Sequence, residues 1–497
     1  MTAPLAPVQA GPPASASAHI GDQATAPLVS ALDEARGTDS FHCPGHKSGR
    51  AVDSRLAALV GTDLFAADVW LGPTRHDRVL AEAQRLAAAA WGADAAFFLG
   101  GGSSSGNVAA LLATLSPGDE VLVSRDLHTS TLTGIVLAGA RPVFVTPTVH
   151  PEQGVALGVE PAALAAALDE HPAAALVSLV SPSYHGVCGQ LRELVHVAHA
   201  RGVPVHVDEA WGAHLPFHPD LPLDALAAGA DVVVTSPHKM LSALSQASVL
   251  LAQGPRVPVE RVARAVQMTQ STSPLVPLLA SIDAARRQMV LAGRALLGDA
   301  IELAGIAAER IARIPGLRVL DALALGLPRA RRDPLKITVD VTGRGLTGVI
   351  AEQALRESGV AVEGCDLRTV FLVVTAGDDR GTVDRLVAAL GALPEQAWSH
   401  AAVAPPPPAA LLPGPLLLTP REAFFAPSVA VPLAASLGRV CAELVTPYPP
   451  GIPVLVPGEV VTGDKLDHLR EFAAAGLHLH GCADPRLRTL RVVRSGA

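Results

Sequence analysis

The stretch DVVVTSPHKMLSALSQ, residues 231–246, decides how the rest of the chain is read. Three β-branched valines predict a strand that runs into Thr235-Ser236-Pro237-His238-Lys239, and the Leu/Ala/Ser-rich sequence beyond predicts a helix. Lysine is rarely buried without a partner. An amine that is partly desolvated loses its proton readily and becomes a nucleophile. The chemistry such an amine serves is imine formation with an aldehyde. Ser236 and His238 stand where a phosphate or a ring is held. Read alone, the stretch also fits a surface lysine in a strand-to-helix turn, so the decision rests on the strands around it.

The strand before it is Gly202-Val203-Pro204-Val205-His206-Val207, with Asp208-Glu209-Ala210-Trp211-Gly212-Ala213-His214 at its carboxyl end. Ligands of open α/β sheets sit at the carboxyl ends of the strands, so Asp208 is placed to pair with a protonated ring nitrogen. Further upstream, strands and helices alternate: VLVSR, TGIVLAGA, PVFV, EPAALAAALDEH and AAALVSLVSP follow in order. This alternation predicts a mostly parallel sheet with helices on both faces. The first such strand ends at Asp126-Leu127-His128-Thr129-Ser130. Before it, the strand Ala95–Leu99 opens onto Gly100-Gly101-Gly102-Ser103-Ser104-Ser105-Gly106-Asn107 and the apolar helix VAALLATL. A glycine and hydroxyl loop between strand and helix cradles phosphate, because backbone N–H groups approach closely and the helix N-terminus favours an anion. It is neither GxxxxGK[ST] nor GxGxxG, which points to a single phosphate monoester over a nucleotide.

Composition sets outer limits. The 497 residues are 49% hydrophobic and 17% charged, enough for a large core in about three domains. A net charge of −8 argues against nucleic acid as the main partner. The five cysteines, Cys43, Cys188, Cys365, Cys441 and Cys482, are scattered and never form CxxC, which fits a reducing cytoplasm. Cys43 stands with His42 and His46 around Pro44-Gly45, but no second ligand pair follows, so no metal is expected. No apolar run of membrane-spanning length occurs. The first 27 residues carry no signal-peptide pattern and predict a loose Pro/Ala/Ser arm.

Downstream, PLVSALDEARG near residue 27 and Val79–Trp91 predict helices, as does a long stretch from about Pro274 to Arg313. A second, small α/β unit follows, with strands Lys336–Val341, Val360–Glu363 and Val370–Thr375 and a helix Thr347–Ser358. Consecutive prolines, Pro405 to Pro408, mark an extended linker. The segment from Leu416 closes on a strand, Thr489–Val493.

A phosphate loop, a histidine, an acid and a lysine, each after a strand, are together the parts of a pyridoxal 5'-phosphate site, where the cofactor acts as electron sink. Asp208 would keep the pyridine nitrogen protonated by opposite charge. His128 would lie on the ring face, and Ser103, Ser104 and Ser236 would hold the phosphate.

The motifs PGHKSG (44–49), GGSSSGN (101–107), DLHTS (126–130), DEAWGAH (208–214), SPHKMLSALSQ (236–246), TPREAFFAP (419–427) and GRVCAELVTPYPPGIPVLVPGE (438–459) resemble, in order, the Orn/Lys/Arg decarboxylase family. The resemblance implies the type I fold of pyridoxal phosphate enzymes, with a mostly parallel large domain, a smaller α/β domain and a C-terminal domain. It implies decarboxylation of arginine, lysine or ornithine to CO2 and an amine of polyamine metabolism, in a cytoplasmic homodimer or higher homo-oligomer. It resembles the shorter form without an N-terminal wing domain. Lys239 maps onto the imine lysine, His128 onto the ring-stacking histidine and Asp208 onto the ring-nitrogen partner. Ser103, Ser104, Ser236 and His238 fall at phosphate and lysine-neighbour positions, with Trp211 beside the acid. Glu363, in GVAVEGCDL, is the candidate for the distal cation of the substrate. Departures are Pro237 for a threonine, Gly101 for an asparagine, ADVWLGPTRHD before the helix at Val79, and Ser428-Val429 where an acid is usual.

The expected domains are an arm over 1–27, a cofactor-binding large domain over 28–315, a small domain over 316–392, a linker over 393–415 and a C-terminal domain over 416–497. Another reaction on the same cofactor remains an alternative, since fold does not fix reaction. Transamination or aldol-type cleavage are the candidates, and Arg344, Arg356, Arg368 and Arg380 are available to bind a carboxylate. A retired homologue acting as a partner is the third.

Overall fold

Short apolar runs bounded by glycine and polar residues become strands here because their β-branched side chains pack on both faces of a covered sheet. The computed structural model describes residues 20–35, 41, 43–56, 60, 63, 73–395, 411–448, 451–474 and 476–494. Residues 1–19 of the expected arm, His42, Ala67–Gly72 of the divergent segment, most of the proline linker (396–410) and Pro449-Pro450 lie outside them. In chain order the strands are β1 Ala95–Leu99, β2 Glu120–Ser124, β3 Arg141–Val145, β4 Thr148–Val149, β5 Ala156–Gly158, β6 Ala174–Val180, β7 Val205–Glu209, β8 Val232–Thr235 and β9 Ser248–Ala252. Then follow β10 Arg318–Val319, β11 Lys336–Asp340, β12 Gly364–Cys365, β13 Thr369–Val373, β14 Ser428–Pro432, β15 Thr446–Tyr448, β16 His478–His480 and β17 Thr489–Val493.

The chain forms two compact units. The first comprises Met1–Thr114, His206–Phe217 and Asp224–Arg294. Its strands run β1, β9, β8, β7, with β8 parallel to β7 and β9 antiparallel to both β8 and β1. The registers Leu99↔Ser248, Thr235↔Val249 and Glu209↔Thr235 put the carboxyl ends of β1, β7 and β8 on one edge. The helix Gly102–Thr114 lies directly on this sheet. A Cβ at Gly106 would sit 2.7 Å from Val234 Cγ1 and 2.8 Å from Leu99 Cδ1, so only glycine allows the approach. Ala109, Ala110 and Ala113 of that helix, Val232, Val234 and Leu250 of the sheet, and Val262 and Val266 of the helix Val259–Thr269 make one buried core.

Two expectations need correction in this unit. The sequence after Lys239 does not continue as a helix: only Pro237–Met240 is helical, and Leu241 is extended at φ −119° and ψ −176°. The chain turns back because β9 begins at Ser248, and both the His238 ring and its backbone N–H bond to Ala247 O. Residues within the expected arm over 1–27 are packed in place. Ile20–Gln23 is a helical turn, and buried Arg286 donates to Gln23 O at 2.6 Å, Thr25 O at 2.5 Å and Asp283 at 2.6 Å. Asp283 in turn accepts from Leu28 N–H, which starts the helix Pro27–Ala35.

The second unit comprises Leu115–Val205, His218–Leu223 and Ala295–Ala497. It carries β6, β2 and β3 as a parallel run and a separate sheet in the order β10-β11-β13-β12, with every pairing antiparallel. The pairs β14–β17 and β15–β16 belong to its C-terminal part. Val360–Glu363 is not a strand. Gly359 at φ +78° turns the chain, the first ladder bond is Glu363 N–H to Phe371 O, and the register starts at Gly364. Val360, Ala361 and Val362 instead line a cavity of about 410 Å³ with Leu372, Val374, Asp378, Thr382 and Arg385. Among the described residues no helix is long and apolar enough to cross a membrane, and none of the five cysteines is in a disulfide.

Candidate active site

In the first unit, the edge formed by the ends of β1, β7 and β8 collects most of the residues singled out from the sequence. Asp208 lies on β7, 5% exposed. Its Oδ2 accepts from Asn107 Nδ2 at 2.6 Å and its Oδ1 from Ala210 N–H at 3.1 Å. Asn107 is fully buried and comes from the second turn of the helix Gly102–Thr114, so one helix both begins beside β1 and orients the acid. Beneath Asp208, burial pushes the His206 imidazole down to about 4, against the opposing pull of Asp208. Burial, then Asp224, pushes the neighbouring Glu209 carboxyl well above the usual range, while Glu209 accepts from Ala225 N–H.

Lys239 follows β8 through the short helical turn. Its Nζ lies 4.5 Å from the centroid of the Trp211 ring, a cation–π distance. Pro237 occupies the first helical position, where the missing N–H costs nothing. The threonine-to-proline departure therefore fits the turn. Burial lowers the His238 pKa, with the Lys239 charge adding to the effect, and the ring is tied to Ala247 O. Ser236 is fully buried and precedes the turn. Among the described residues neither Ser236 Oγ nor Ser248 Oγ, at the start of β9, has a hydrogen-bond partner. A buried hydroxyl left unpaired costs about 1–3 kcal/mol.

The glycine and serine segment is not a loop of the expected length. The helix starts at Gly102, so Ser103 and Ser104 stand in its first turn, with no acidic residue there to compete for an anion. Gln270 secures the approach: it accepts from Gly100 N–H at 3.0 Å and donates to Ser105 Oγ at 3.1 Å. Gly101 is explained by space, since a Cβ there would meet Ser105 Oγ at 2.8 Å. The amine, the buried acid, two unpaired serine hydroxyls and an open helix N-terminus are chemically suited to a phosphorylated aldehyde bearing a basic ring nitrogen.

His128 and Glu363 belong to the second unit. His128 caps the helix Thr129–Ala138: its Nδ1 accepts from Ser130 N–H at 3.2 Å and lies 2.7 Å from Ser130 Oγ. An accepting Nδ1 puts the ring proton on Nε2. Gly451 lies against the ring, since a Cβ there would be 3.6 Å from His128 Cδ2. Glu363 is exposed, and Tyr184 Oη donates to its Oε1 at 3.2 Å and to its carbonyl at 3.3 Å. Burial, then Glu363, drives the Tyr184 pKa upward, so the phenol stays a donor. His46 Nε2 sits 3.1 Å from Asp63, and its Nδ1 accepts from Gly49 N–H. Among the described residues no cluster has the make-up of a metal site. Val429, at the last departure, pairs with Val492 in the β14–β17 ladder.

The arginines open to an aminotransferase reading are largely committed. Arg344 donates to Pro315 O and Leu393 O, Arg356 pairs with Glu352, and Arg368 pairs with Asp340. Asn107, Gln270, Ser248 and Tyr184 went unassigned in the sequence. Asn107 closes the GGSSSGN motif and was legible there, whereas Gln270 and Ser248 reach the β1, β7 and β8 edge, and Tyr184 reaches Glu363, only through tertiary contact.

A mostly parallel sheet with an acid and a lysine at its carboxyl edge defines a type I pyridoxal phosphate enzyme architecture. The chain belongs to the Orn/Lys/Arg decarboxylase family. The family's major-domain model matches residues 26–325 and its C-terminal-domain model residues 418–484. Arginine decarboxylase of Halalkalibacterium halodurans is 38% identical over 463 residues, 91% of this chain and 94% of the relative. Arginine decarboxylase of Bacillus subtilis is 37% identical over the same shares. Among solved structures, the constitutive lysine decarboxylase of E. coli superposes with a TM-score of 0.78 at 21% identity, covering 95% of this chain and 82% of that one. The protein is a decarboxylase of this family.

Proposed function

We propose that the chain decarboxylates arginine with pyridoxal 5'-phosphate as cofactor, releasing CO2 and the corresponding amine for polyamine metabolism. The observation that carries the cofactor is the edge of β7 and β8, where Asp208 lies near the end of β7 and Lys239 follows β8, with two unpartnered serine hydroxyls, Ser236 and Ser248. Support for arginine over lysine or ornithine comes from the relatives: three named arginine decarboxylase are 37–38% identical over 91–94% of this chain.

Bound through its aldehyde to an amine, the cofactor supplies an electron sink for the pair released when a carboxylate leaves as CO2. Lys239 contributes that amine, and Trp211 packs over it and limits its hydration. Asp208, fixed by Asn107, holds a proton on the ring nitrogen. Ser103, Ser104 and Ser236 take the phosphate, and His238 braces the lysine turn against Ala247. His128 would stack on the cofactor ring and assist proton delivery to the substrate. Glu363, steadied by Tyr184, meets the distal cation of the substrate. The enzyme works as a cytoplasmic homodimer or higher homo-oligomer, with the domains bounded at 28–315, 316–392 and 416–497.

Purified protein supplied with the cofactor and tested in parallel on arginine, lysine and ornithine decides the substrate. The expected result is CO2 release with the highest kcat/KM on arginine. A 2-oxo acid product in place of CO2 would move the reading to transamination.

A further inference from the structure

Arg125 lies three residues before His128, at the carboxyl end of β2, and its side chain is fully buried. Its two terminal nitrogens leave the strand altogether. Nη1 donates to Pro453 O at 2.5 Å and Nη2 to Val454 O at 3.1 Å, while Nη2 also faces Glu459 Oε2 at 3.6 Å. The guanidinium stacks over Phe144 at 5.2 Å. Glu459 is itself fully buried and is shared: Lys465 and Gly414 N–H reach Oε1, and Val456 N–H reaches Oε2 at 3.2 Å. Burying such a cluster is costly, and it persists only when every charge is paired.

The clamped carbonyls are two and three residues beyond Gly451, the residue seated against the His128 ring. Gly451 adopts φ +87°, and a Cβ would fall 3.2 Å from Tyr448 and 3.6 Å from His128. Ring and clamp thus hang from one short segment on each side: Arg125 to His128 in the chain, and Gly451 to Val454 against it. Ser130 fixes one ring edge, and Gly451 limits the ring from the other side.

We propose that Arg125 is a positioning residue for the reaction: by holding the 451–454 segment through two carbonyls, it sets the orientation of the His128 ring. This rests on the reading of His128 as the ring-face residue. An ammonium is a point charge and does not reproduce a two-pronged planar grip. Arg125→Lys keeps the positive charge beside Glu459 but lets the segment shift.

The test is a set of holoenzyme variants followed by steady-state kinetics and the visible spectrum of bound cofactor. Arg125→Lys should lower kcat about tenfold, in line with the cost of a small displacement. KM should change less, and the visible band should shift. Gly451→Ala, which presses on the ring from the other side, should give the same band shift, and it stands in if Arg125→Lys fails to fold. In a His128→Ala background, adding Arg125→Lys should cost nothing further, because the two act as one unit. If the losses of Arg125→Lys and His128→Ala multiply, or if Arg125→Lys only lowers the melting temperature with kcat and spectrum intact, the positioning role is overturned. If His128→Ala by itself leaves kcat and spectrum unchanged, the ring-face reading falls, and this proposal with it.

Discussion

Lys239 would be an ordinary turn residue but for three neighbours that fix its surroundings. Trp211 covers its amine, Ser236 leaves a buried hydroxyl unspent before it, and His238 ties the turn to Ala247. Asp208 is the residue where charge is most exposed to test. Asp208→Asn keeps the shape and the acceptor for Ala210 N–H while removing the charge, and the Asn107 amide must turn over to stay bonded to the new NH2. It should leave the melting temperature within a few degrees and lower kcat about a hundredfold or more, the scale for removing one preorganised electrostatic contact. Glu363 is tested by KM. Glu363→Gln should raise KM for arginine roughly tenfold, as for a lost charge-assisted hydrogen bond, with kcat changed less. A KM unchanged within error would remove Glu363 from substrate recognition. Lys239, His128 and Asp208 stood out as candidates because each lies at or just beyond the end of an apolar strand run. Arg125 was not, since its carbonyl partners stand 328 and 329 residues away and leave no mark in any local window.

At the level of elements, β1, β2, β3, β6 and the helices Pro161–Glu170 and Val276–Ala312 follow the pattern of the sequence closely, because short apolar runs and helical spacing agree there with burial. The misreadings are at boundaries where tertiary bonds outweigh propensity. Leu241 is drawn off helix by the return to β9, and Val360-Ala361-Val362 lines a cavity in place of a ladder. The helix Gly463–Ala474 gives a pH prediction. It buries His468 to 3% exposure against Phe472, with its Nδ1 unpartnered among the described residues, and burial pushes the imidazole down to about 4. The unfolded chain takes up that proton near pH 6.5, about the usual histidine value. Between these two pH values the unfolded state therefore binds more protons, so stability falls as pH drops from about 6.5 to about 4 and this contribution is flat below. His206 adds a loss of the same sign. Chemical denaturation across that range should show a shallower slope for His468→Leu, by up to about 1.4 kcal/mol per pH unit. An identical slope would contradict the buried neutral histidine.

For the whole molecule, the ordered series of motifs carried the family, and the matches over 26–325 and 418–484 agree with it. What composition could not carry is how distant segments are tied within each unit. Arg286 gathers Gln23, Thr25 and Asp283 in the first, and Glu459 gathers Arg125, Lys465 and Gly414 in the second. Both are buried ion clusters whose members look like ordinary surface charges in the sequence. The type I fold supports several reactions, so the decisive test is chemical and centres on one side chain. CO2 release from carboxyl-labelled arginine should be compared for the wild-type holoenzyme and Lys239→Ala, at equal protein and saturating cofactor. Labelled CO2 from the wild type, with the Lys239→Ala rate reduced to background, is the predicted result. Equal release by the two proteins would contradict the assignment of Lys239, and with it the account of the site.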